Sequence, residues 1–457
     1  MTGWPRATAA GARPPGHEVV TAGCYSEAIM RRLLACGFSL CLILITYRLT
    51  GQPDPKVKPG ELYKPTAHPD RVILTWSADP ATTASVTWRT APEVNGPLAE
   101  IALAEDGAGF VKKATRVNAT SEPLKTELHL AHYHSVTFAN LQPDTPYVYR
   151  VGDGHNWSEW NQFRTAAAGP APLEFIYLGD AQNDIYSLWS RVIRAGYAEA
   201  PRARFILHAG DLINNPNRDD QWGEWHNGAG WINRSIPSVP TPGNHEYGGR
   251  VLNSHWRPQF TLPANGIPTL PETNYFLDIQ GVRIVSLDSN GKHAEQAAWL
   301  DQLLANNPCR WTVLTFHHPV LSTAKGRDNK ALREAWQPII DKHKVDLVLT
   351  GHDHTYGRSN LQTGLSTQKG GTIYVVSVSG PKMYELEKQA WMARAAEDTQ
   401  LFQVIRIDGD VLNYQARTAR GVLYDAFELR KAKGKPNRLI SRIPATPENR
   451  RAPKNKK

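Results

Sequence analysis

The chain of 457 residues is long enough to bury more than one core and predicts two or three domains, and its 41% hydrophobic and 21% charged residues are ordinary for a globular protein. Its formal net charge of +9 would favour a nucleic-acid or membrane partner, but residues 431–457 carry ten Lys and Arg against the single acidic residue Glu448. The body is therefore close to neutral and shows no interleaving of basic and aromatic residues, which argues against a nucleic-acid partner.

The N-terminal region has the pattern of an export signal. Arg31 and Arg32 precede an apolar run at residues 33–47, as in a signal peptide or a short signal anchor. We therefore assign residues 1–50 to a leader and expect an exported protein that is periplasmic, secreted or membrane-anchored facing outward. No A-x-A site follows the run, so cleavage and membrane anchoring both stay open. Three of the four cysteines lie in this leader, which leaves Cys309 without an internal disulfide partner.

Residues 51–67 are rich in Pro, Lys and Gly and are typical of a linker. Residues 68–166 then alternate with period two in short stretches bounded by turn residues: "RVILTWSA", "ASVTWRTA", "YHSVTFANL", "YVYRVGD" and "WNQFRTA". This spacing predicts an all-β sandwich, and "LQPDTPYVYRVG" resembles the end of a fibronectin type III domain. His132 and His134 lie on one of these strands, where histidines are more often face residues than metal ligands.

From residue 172 apolar strands alternate with helical segments, so residues 172–428 predict an α/β domain. The strands are "LEFIYLG", "RFILHAG", "VRIVSLD", "WTVLTF" and "VDLVLTG", and the helices are "HAEQAAWLDQLLANN" and "DNKALREAWQPIIDKH". After about residue 372 strands return, which suggests a second sheet. Residues 431–457 are poor in apolar residues and predict a disordered basic tail, with a specific anionic partner as the alternative.

Metal-type ligands follow four of these strands. "LGDAQ" gives Asp180, "HAGDL" gives Asp211, "TFHHP" gives His317, and "LTGHDH" gives His352 and His354. A fifth loop, "TPGNHE", gives Asn244 and His245. Because the carboxyl ends of strands in an open α/β sheet converge on one crevice, we expect these side chains to meet there.

Each of these pieces alone is also explained without a metal, as a turn, a helix cap or packing. Chance explains the joint pattern poorly, because every piece lies at the end of a strand. Two carboxylates, one amide oxygen and three imidazoles suit Zn, Fe or Mn better than Ca or Mg. The sequence therefore predicts a metal site at this edge of the sheet.

The ordered set GD, GD, GNHE, HxP and GHxH resembles the fingerprint of the calcineurin-like metallophosphoesterases. With the sandwich ahead of it, "RDDQWGEWHN" before the GNHE loop and "GHDHTYGR" near the end, the chain resembles specifically the purple acid phosphatase branch. The resemblance spans residues 68–428. It implies a catalytic domain of two facing mixed sheets flanked by helices.

The resemblance also implies a reaction, the hydrolysis of phosphomonoesters or phosphodiesters by a binuclear centre. The ligands that it implies are Asp180, Asp211 and His354 at the first metal and Asp211, Asn244, His317 and His352 at the second, with Asp211 bridging. Two such cations clamp a phosphate and lower the pKa of a bridging water, which becomes the nucleophile. His245 would face the substrate and stabilise the developing charge or protonate the leaving oxygen.

Two positions depart from the family pattern. The second motif runs GDxxY in purple acid phosphatases, and here Asn214 stands where the metal-binding Tyr would be. The first motif, DxH in the wider superfamily, has Gln182 at the His position. Our hypothesis is that the amide oxygen of Gln182 is a neutral ligand of the first metal; the alternative is that it only hydrogen-bonds a metal-bound water. Without tyrosinate, the iron-loaded protein is expected to lack the purple chromophore.

Lys325 and Arg327 follow the HxP motif and are candidates to hold the non-reacting part of an anionic substrate, or they are solvated loop charges. His318 either lies next to the metal ligands or only packs against them.

A second function, from another class, is a catalytically weak cell-surface binding protein with a vestigial metal site. Only Gln182 and Asn214 support that alternative, because the ligand set is otherwise nearly complete.

Overall fold

The structure, a computed structural model, describes residues 56–451. The predicted leader with its apolar run at residues 33–47 lies outside the described residues, as do the last six residues of the chain. Within residues 56–451, every helix is too short or too polar to span a bilayer. Cys309, which is the one cysteine in this range, is free.

The first domain is the predicted all-β sandwich, preceded by the short helix α1 (Pro59–Leu62). Its eight strands are β1 (Asp70–Thr75), β2 (Ala84–Thr90), β3 (Leu98–Leu103), β4 (Thr115–Asn118), β5 (Thr120–Lys125), β6 (Leu130–Phe138), β7 (Pro146–Gly152) and β8 (Asn161–Arg164). They form two antiparallel sheets of order β1-β2-β6-β5 and β4-β3-β7-β8. Trp88 and Tyr149 lie fully buried between the sheets.

The second domain is the predicted α/β domain. Its strands are β9 (Leu173–Leu178), β10 (Ile206–Ala209), β11 (Ser238–Thr241), β12 (Tyr247–Gly248), β13 (Val251–Leu252), β14 (Tyr275–Ile279), β15 (Val282–Ser286), β16 (Trp311–Thr315), β17 (Leu347–Thr350), β18 (Tyr356–Ser359), β19 (Gln362–Thr363), β20 (Ser366–Thr367), β21 (Ile373–Val376), β22 (Met392–Ala396), β23 (Leu401–Asp408), β24 (Val411–Thr418), β25 (Leu423–Ala432) and β26 (Lys435–Ser441). Its α-helices are α2 (Ser190–Glu199), α3 (Asp219–Ala229), α4 (Ile232–Ser235), α5 (Trp256–Gln259), α6 (His293–Ala305) and α7 (Lys330–Lys342).

Two mixed seven-stranded sheets make up this domain. Their strand orders are β11-β10-β9-β23-β24-β25-β26 and β14-β15-β16-β17-β21-β18-β22. In the first sheet β9, β10 and β11 are parallel, and in the second β15, β16, β17 and β21 are parallel. The inner faces of the sheets share one core, while α6 and α7 cover the outer face of the second sheet. Strands buried on both faces read as continuous apolar runs, which explains "FIYL" in β9.

The structure corrects the expectation of a disordered tail from residue 431 and of a catalytic domain that ends at residue 428. β26 pairs antiparallel with β25 at the edge of the first sheet, and Arg451 then forms an ion pair with Asp398. An edge strand is held by backbone hydrogen bonds and leaves its side chains in solvent, so its polar composition is no obstacle. The tail therefore extends the sheet at least as far as Ser441.

A group of mostly buried charges joins the two domains. Arg71 and Arg89 of the sandwich reach Asp219 at the start of α3, with N–O distances of 2.6 and 3.2 Å. Arg89 also pairs with Asp70, and Arg71 donates to the hydroxyl of Tyr133. We call Arg71, Arg89, Asp70 and Asp219 the interdomain cluster. It fixes the sandwich to the domain that carries the predicted metal site.

Candidate metal centre

The predicted ligands follow the carboxyl ends of five strands and meet in the crevice between the two sheets. Asp180 follows β9, Asp211 follows β10, and Asn244 opens a 3-10 turn after β11. His317 follows β16, and His352 and His354 follow β17. The first sheet thus supplies the carboxylates and the amide, and the second sheet supplies the imidazoles. We call these six residues, together with Gln182, the ligand cluster.

One part of the ligand cluster surrounds His317. Its Nε2 lies 3.1 Å from Asp211 Oδ2, 3.2 Å from Asn244 Oδ1 and 3.2 Å from His352 Nδ1. Ligand atoms of Asp211, His317 and His352 all lie within 4.8 Å of one another, as they would around one ion. This part corresponds to the expected second metal.

The other part contains Asp180, Asp211 and His354, whose ligand atoms also lie within 4.8 Å of one another. Gln182, which is fully buried, lies inside it: Nε2 is 2.8 Å from Asp211 Oδ2 and 2.9 Å from His354 Nε2, and Oε1 is buried without a partner in the part of the chain that the structure describes. A half-turn of the amide exchanges these two atoms. The oxygen would then lie beside the same two ligand atoms, as a metal ligand should. The donor set therefore fits a cation.

Several of the ligands have an unusual backbone conformation. Asp180, Asp211, His352 and His354 all adopt left-handed conformations, with φ of 43, 53, 72 and 47°. Such conformations are costly for residues other than Gly, Asn and Asp, and persist only where the surrounding structure enforces them. The ligand side chains are thus aimed at one point by the fold.

The glycines of the motifs make room for the ligands of other motifs. A Cβ at Gly351 would lie 2.2 Å from Asp180 Oδ2, and one at Gly243 would lie 2.1 Å from Asp211 Oδ1. The His352 amide donates to both oxygens of Asp180 at 2.9 Å, and the His245 amide donates to Asp211 Oδ1 at 3.0 Å. The repeated Gly-ligand pairs in the sequence therefore have a packing reason that sequence reasoning did not identify.

Glu246 is a positioning residue that sequence reasoning also missed, although it completes the GNHE motif. Its buried carboxylate accepts hydrogen bonds from the backbone amides of Asp211, Leu212 and Gly243 at 3.0, 2.8 and 2.6 Å. Burial, together with the charge of Asp211, raises the pKa of Glu246 to about 7. Glu246 thus ties the GNHE loop to the loop that carries Asp211.

The carboxylates and imidazoles of the cluster perturb one another. Burial raises the pKa of Asp180 well above its usual range. Burial also acts to raise the pKa of Asp211, but His317 outweighs it and holds that pKa below its usual range. In return Asp211 overcomes the effect of burial on His317 and raises its pKa to about 9. Burial lowers the pKa of His354 to about 3, so this ring keeps a free lone pair.

Backbone carbonyl groups orient two of the ligand rings. Nδ1 of His317 lies 2.9 Å from the Ala209 carbonyl oxygen, and Nδ1 of His354 lies 2.9 Å from that of Lys382. A carbonyl oxygen only accepts, so each Nδ1 donates and each Nε2 faces the cluster. This is the usual second-layer arrangement around metal-binding histidines. Nε2 of His354 presents a lone pair there, and Nε2 of His317 would do so once a cation displaces its proton.

His245 lies beside the cluster and is half-buried. Its Nε2 is 3.9 Å from Asp211 Oδ2, and its Nδ1 donates to the backbone carbonyl of Asn214. Asn214 thus holds His245 through its backbone. His134, by contrast, lies in the sandwich, where it bonds Thr90 and Ser121.

The structure separates the two basic substrate-binding candidates. Lys325 is exposed and forms an ion pair with Glu385 at 2.8 Å. Arg327 donates to the carbonyl oxygen of His352 at 2.9 Å and lies 4.6 Å from the ring centroid of Tyr384. Tyr384 in turn packs on the His354 ring at 4.6 Å. Arg327 and Tyr384 therefore border the crevice, and no motif in the sequence pointed to Tyr384.

Two family models match the chain. The model of the purple acid phosphatase N-terminal domain matches residues 69–165. The model of the calcineurin-like phosphoesterases matches residues 151–356. The first model covers the strands of the sandwich, and the second covers every residue of the ligand cluster.

An uncharacterised protein of Mycobacterium tuberculosis is 28% identical over 332 residues, which are 64% of this chain and 62% of that protein. A purple acid phosphatase of Glycine max is 27% identical over 281 residues, 54% of this chain and 59% of that protein. The chain thus matches less than two thirds of the length of these relatives. The solved purple acid phosphatase PPD1 of yellow lupin (Lupinus luteus) seeds has the same fold, with a TM-score of 0.70 at 18% identity over 80% of this chain and 75% of that one.

Proposed function

Because the chain belongs to the calcineurin-like phosphoesterases, in the branch that carries the purple acid phosphatase N-terminal domain, we propose that it hydrolyses phosphomonoesters or phosphodiesters at a binuclear metal centre. The observation that carries the proposal is the convergence of two overlapping ligand groups that share Asp211. A carboxylate common to two sites brings negative charge to both cations and offsets their repulsion.

The ligand cluster divides between two ions. We assign Asp180, Gln182, Asp211 and His354 to the first metal and Asp211, Asn244, His317 and His352 to the second. Gln182 has its place in this set because its buried Oε1 has no partner within residues 56–451, and a half-turn of the amide would bring that oxygen beside Asp211 Oδ2 and His354 Nε2, where a cation would satisfy it. The mixture of imidazole, carboxylate and amide donors favours Zn, Fe or Mn.

The two cations would supply a clamp for the phosphoryl group and an activated water as nucleophile. The chain's own residues orient the reaction. His245 carries its hydrogen on Nδ1 toward Asn214, so Nε2 is the atom that takes up and delivers a proton. A protonated Nε2 stabilises charge on the phosphoryl oxygens or protonates the leaving oxygen.

The substrate is a small phosphate ester whose remaining part lies at the crevice border. Arg327, on the Tyr384 ring, is placed to attract an anionic group there, whereas the ion pair of Lys325 with Glu385 places that lysine on the surface. The export pattern of the N-terminal region supports action outside the cytoplasm.

The test is metal analysis of the purified protein alongside hydrolysis of an aryl phosphomonoester and an aryl phosphodiester. Two metal ions per chain with turnover of either ester are expected. Protein that binds neither ion and turns over neither ester would refute the enzyme and favour a binding protein with a vestigial site.

His245→Ala separates catalysis from metal binding. We expect the variant to keep both metals and to lose about 10²- to 10⁴-fold in kcat, the usual contribution of a general acid. His155→Ala, which removes an exposed histidine of the sandwich, should change neither quantity. Loss of metal in parallel with activity would make His245 a structural residue instead.

A further inference from the structure

His318 lies against the ligand cluster without belonging to either ligand group. Its ring centroid is 5.0 Å from that of His317 and 4.2 Å from that of His352. The ring is half-buried, and within residues 56–451 its Nε2 has no hydrogen-bond partner yet is not among the buried unpartnered atoms. This nitrogen is therefore open at the crevice.

Ser289 determines which nitrogen of His318 carries hydrogen. Its buried hydroxyl oxygen accepts the His318 backbone amide at 3.0 Å and lies 2.8 Å from His318 Nδ1. Among the described residues, Nδ1 is the one acceptor within reach of the hydroxyl hydrogen. Ser289 therefore donates to Nδ1, and the neutral ring carries its hydrogen on Nε2.

This tautomer is the opposite of that of His245. The neutral His245 ring carries its hydrogen on Nδ1 because it faces the Asn214 carbonyl oxygen, so its Nε2 has a lone pair. The neutral rings of His245 and His318 thus carry their hydrogen on different nitrogens. His245 donates to substrate only after it gains a proton, whereas His318 donates as a neutral ring.

We propose that His318 contacts the substrate, donating its Nε2–H to a non-bridging oxygen of the phosphoryl group, and that Ser289 is its positioning residue. The inference rests on the proposed function, since it needs a phosphoryl group at the ligand cluster. The two histidines then have different roles. His318 binds and orients the phosphoryl oxygens, and His245 transfers the proton.

The experiment measures binding of inorganic phosphate to the metal-loaded full-length protein by calorimetry, with metal content determined in parallel. A hydrogen bond to a charged oxygen predicts about 10- to 100-fold weaker phosphate binding in His318→Ala. KM for an aryl phosphomonoester should rise by a similar factor, with metal content and the acid limb of the kcat profile unchanged. His318→Gln, whose amide offers N–H near the position of Nε2, should restore part of the affinity, and Ser289→Ala should lose part of it.

Three outcomes would overturn the inference while leaving the proposed function intact. These are wild-type phosphate affinity in His318→Ala, loss of metal in that variant, or a Gln variant as weak as the Ala variant, which would assign the loss to ring packing. Failure of the wild-type protein to bind metal and to hydrolyse either ester would instead remove the proposed function itself, and wild-type protein that turns over ester without binding phosphate would count against the inference alone. His155→Ala again serves as the matched control, because it removes an exposed histidine far along the chain from the motifs.

Discussion

The interdomain cluster and the ligand cluster both bury several charges. They differ in whether Arg or Lys side chains pair with the carboxylates. Both oxygens of Asp219 and of Asp70 receive hydrogen bonds from Arg71 or Arg89. In the ligand cluster, by contrast, no Lys or Arg within residues 56–451 pairs with Asp180 or Asp211. The carboxylates there face imidazoles and an amide.

This difference distinguishes a structural cluster from a binding site. Buried charges are tolerated when they are paired, and a group that is paired by its own neighbours needs nothing else. The ligand cluster keeps two carboxylates and several imidazole nitrogens aimed at one crevice, at the cost of left-handed backbone at His352 and His354. Strain and perturbed pKa values that the fold maintains with no Lys or Arg, among the described residues, to pair with the carboxylates are typical of functional sites.

The largest expected effect follows from filling the ligand cluster. Gly351→Ala places a Cβ 2.2 Å from Asp180 Oδ2, so the carboxylate or the β17 loop must shift. We expect metal affinity and hydrolysis each to fall by at least about 100-fold, because displaced outer contacts already cost 10- to 100-fold. Gly291→Ala is the control, since no described residue has an atom within 4 Å of its added Cβ. Equal metal content in the two variants would contradict the packing role of Gly351.

The next effect breaks the interdomain cluster instead. Asp219→Ala leaves the buried guanidinium groups of Arg71 and Arg89 without this partner, which should lower the free energy of unfolding by about 3–5 kcal/mol. Denaturant unfolding measures this change. The exposed pair of Arg310 and Asp410 gives the control, since Asp410→Ala should cost less than about 1 kcal/mol. Folded Asp219→Ala should still bind both metals, and loss of metal would show that the two clusters are coupled.

A smaller effect concerns the stability of the fold at acid pH. His226 connects to the interdomain cluster because it donates to Gln259, which donates to Tyr133. Burial, helped by Arg71, lowers the pKa of His226 to about 3. An unfolded chain binds this proton below about pH 6.5 and the folded chain does not, so stability is present above that pH and is lost as the pH falls toward 3.

The slope of unfolding free energy against pH between those values should reach up to about 1.4 kcal/mol per unit from this one group. His226→Gln, which retains a donor for Gln259 but cannot titrate, should show a shallower slope than the wild type. Identical slopes would mean that the folded and unfolded chains protonate His226 alike, so that burial does not lower its pKa.

The fold was predictable where a local pattern carried it. The apolar runs predicted β9, β16 and β17, and the helical spacing of Leu332 and Trp336 with Ile339 or Ile340 predicted α7. In the structure Leu332, Trp336 and Ile340 lie on the buried face of that helix. The edge strands β4, β5 and β26 were missed because their side chains are mostly exposed, so neither alternation nor hydrophobicity marks them. Backbone pairing with a neighbouring strand leaves no trace in composition.

The site was predictable as a set of residues but not as a set of contacts. The side chains of the predicted ligands lie close together, because strand ends in such sheets converge and the motifs mark those ends, while their binding of metals stays a prediction. The roles of Glu246, Ser289 and Tyr384 depend on residues distant in sequence, and a single sequence does not show which distant groups meet. The same limit left Lys325 and Arg327 indistinguishable until their partners were known.

Lys325 and Arg327 provide the smallest expected effect. Comparing them tests which of the two borders the crevice. Arg327→Gln removes a charged donor that lies on the His352 carbonyl and the Tyr384 ring, so kcat/KM for an aryl phosphomonoester should fall about 10-fold, mainly through KM. Lys325→Gln removes the same charge two residues earlier, from a side chain that is exposed and paired with Glu385, and should change kcat/KM by less than about twofold. Because the substitutions are matched, net charge alone predicts equal effects, whereas the structure predicts unequal ones. Equal losses would mean that the crevice attracts its substrate by long-range charge, and the contact of Arg327 with Tyr384 would then have no special role.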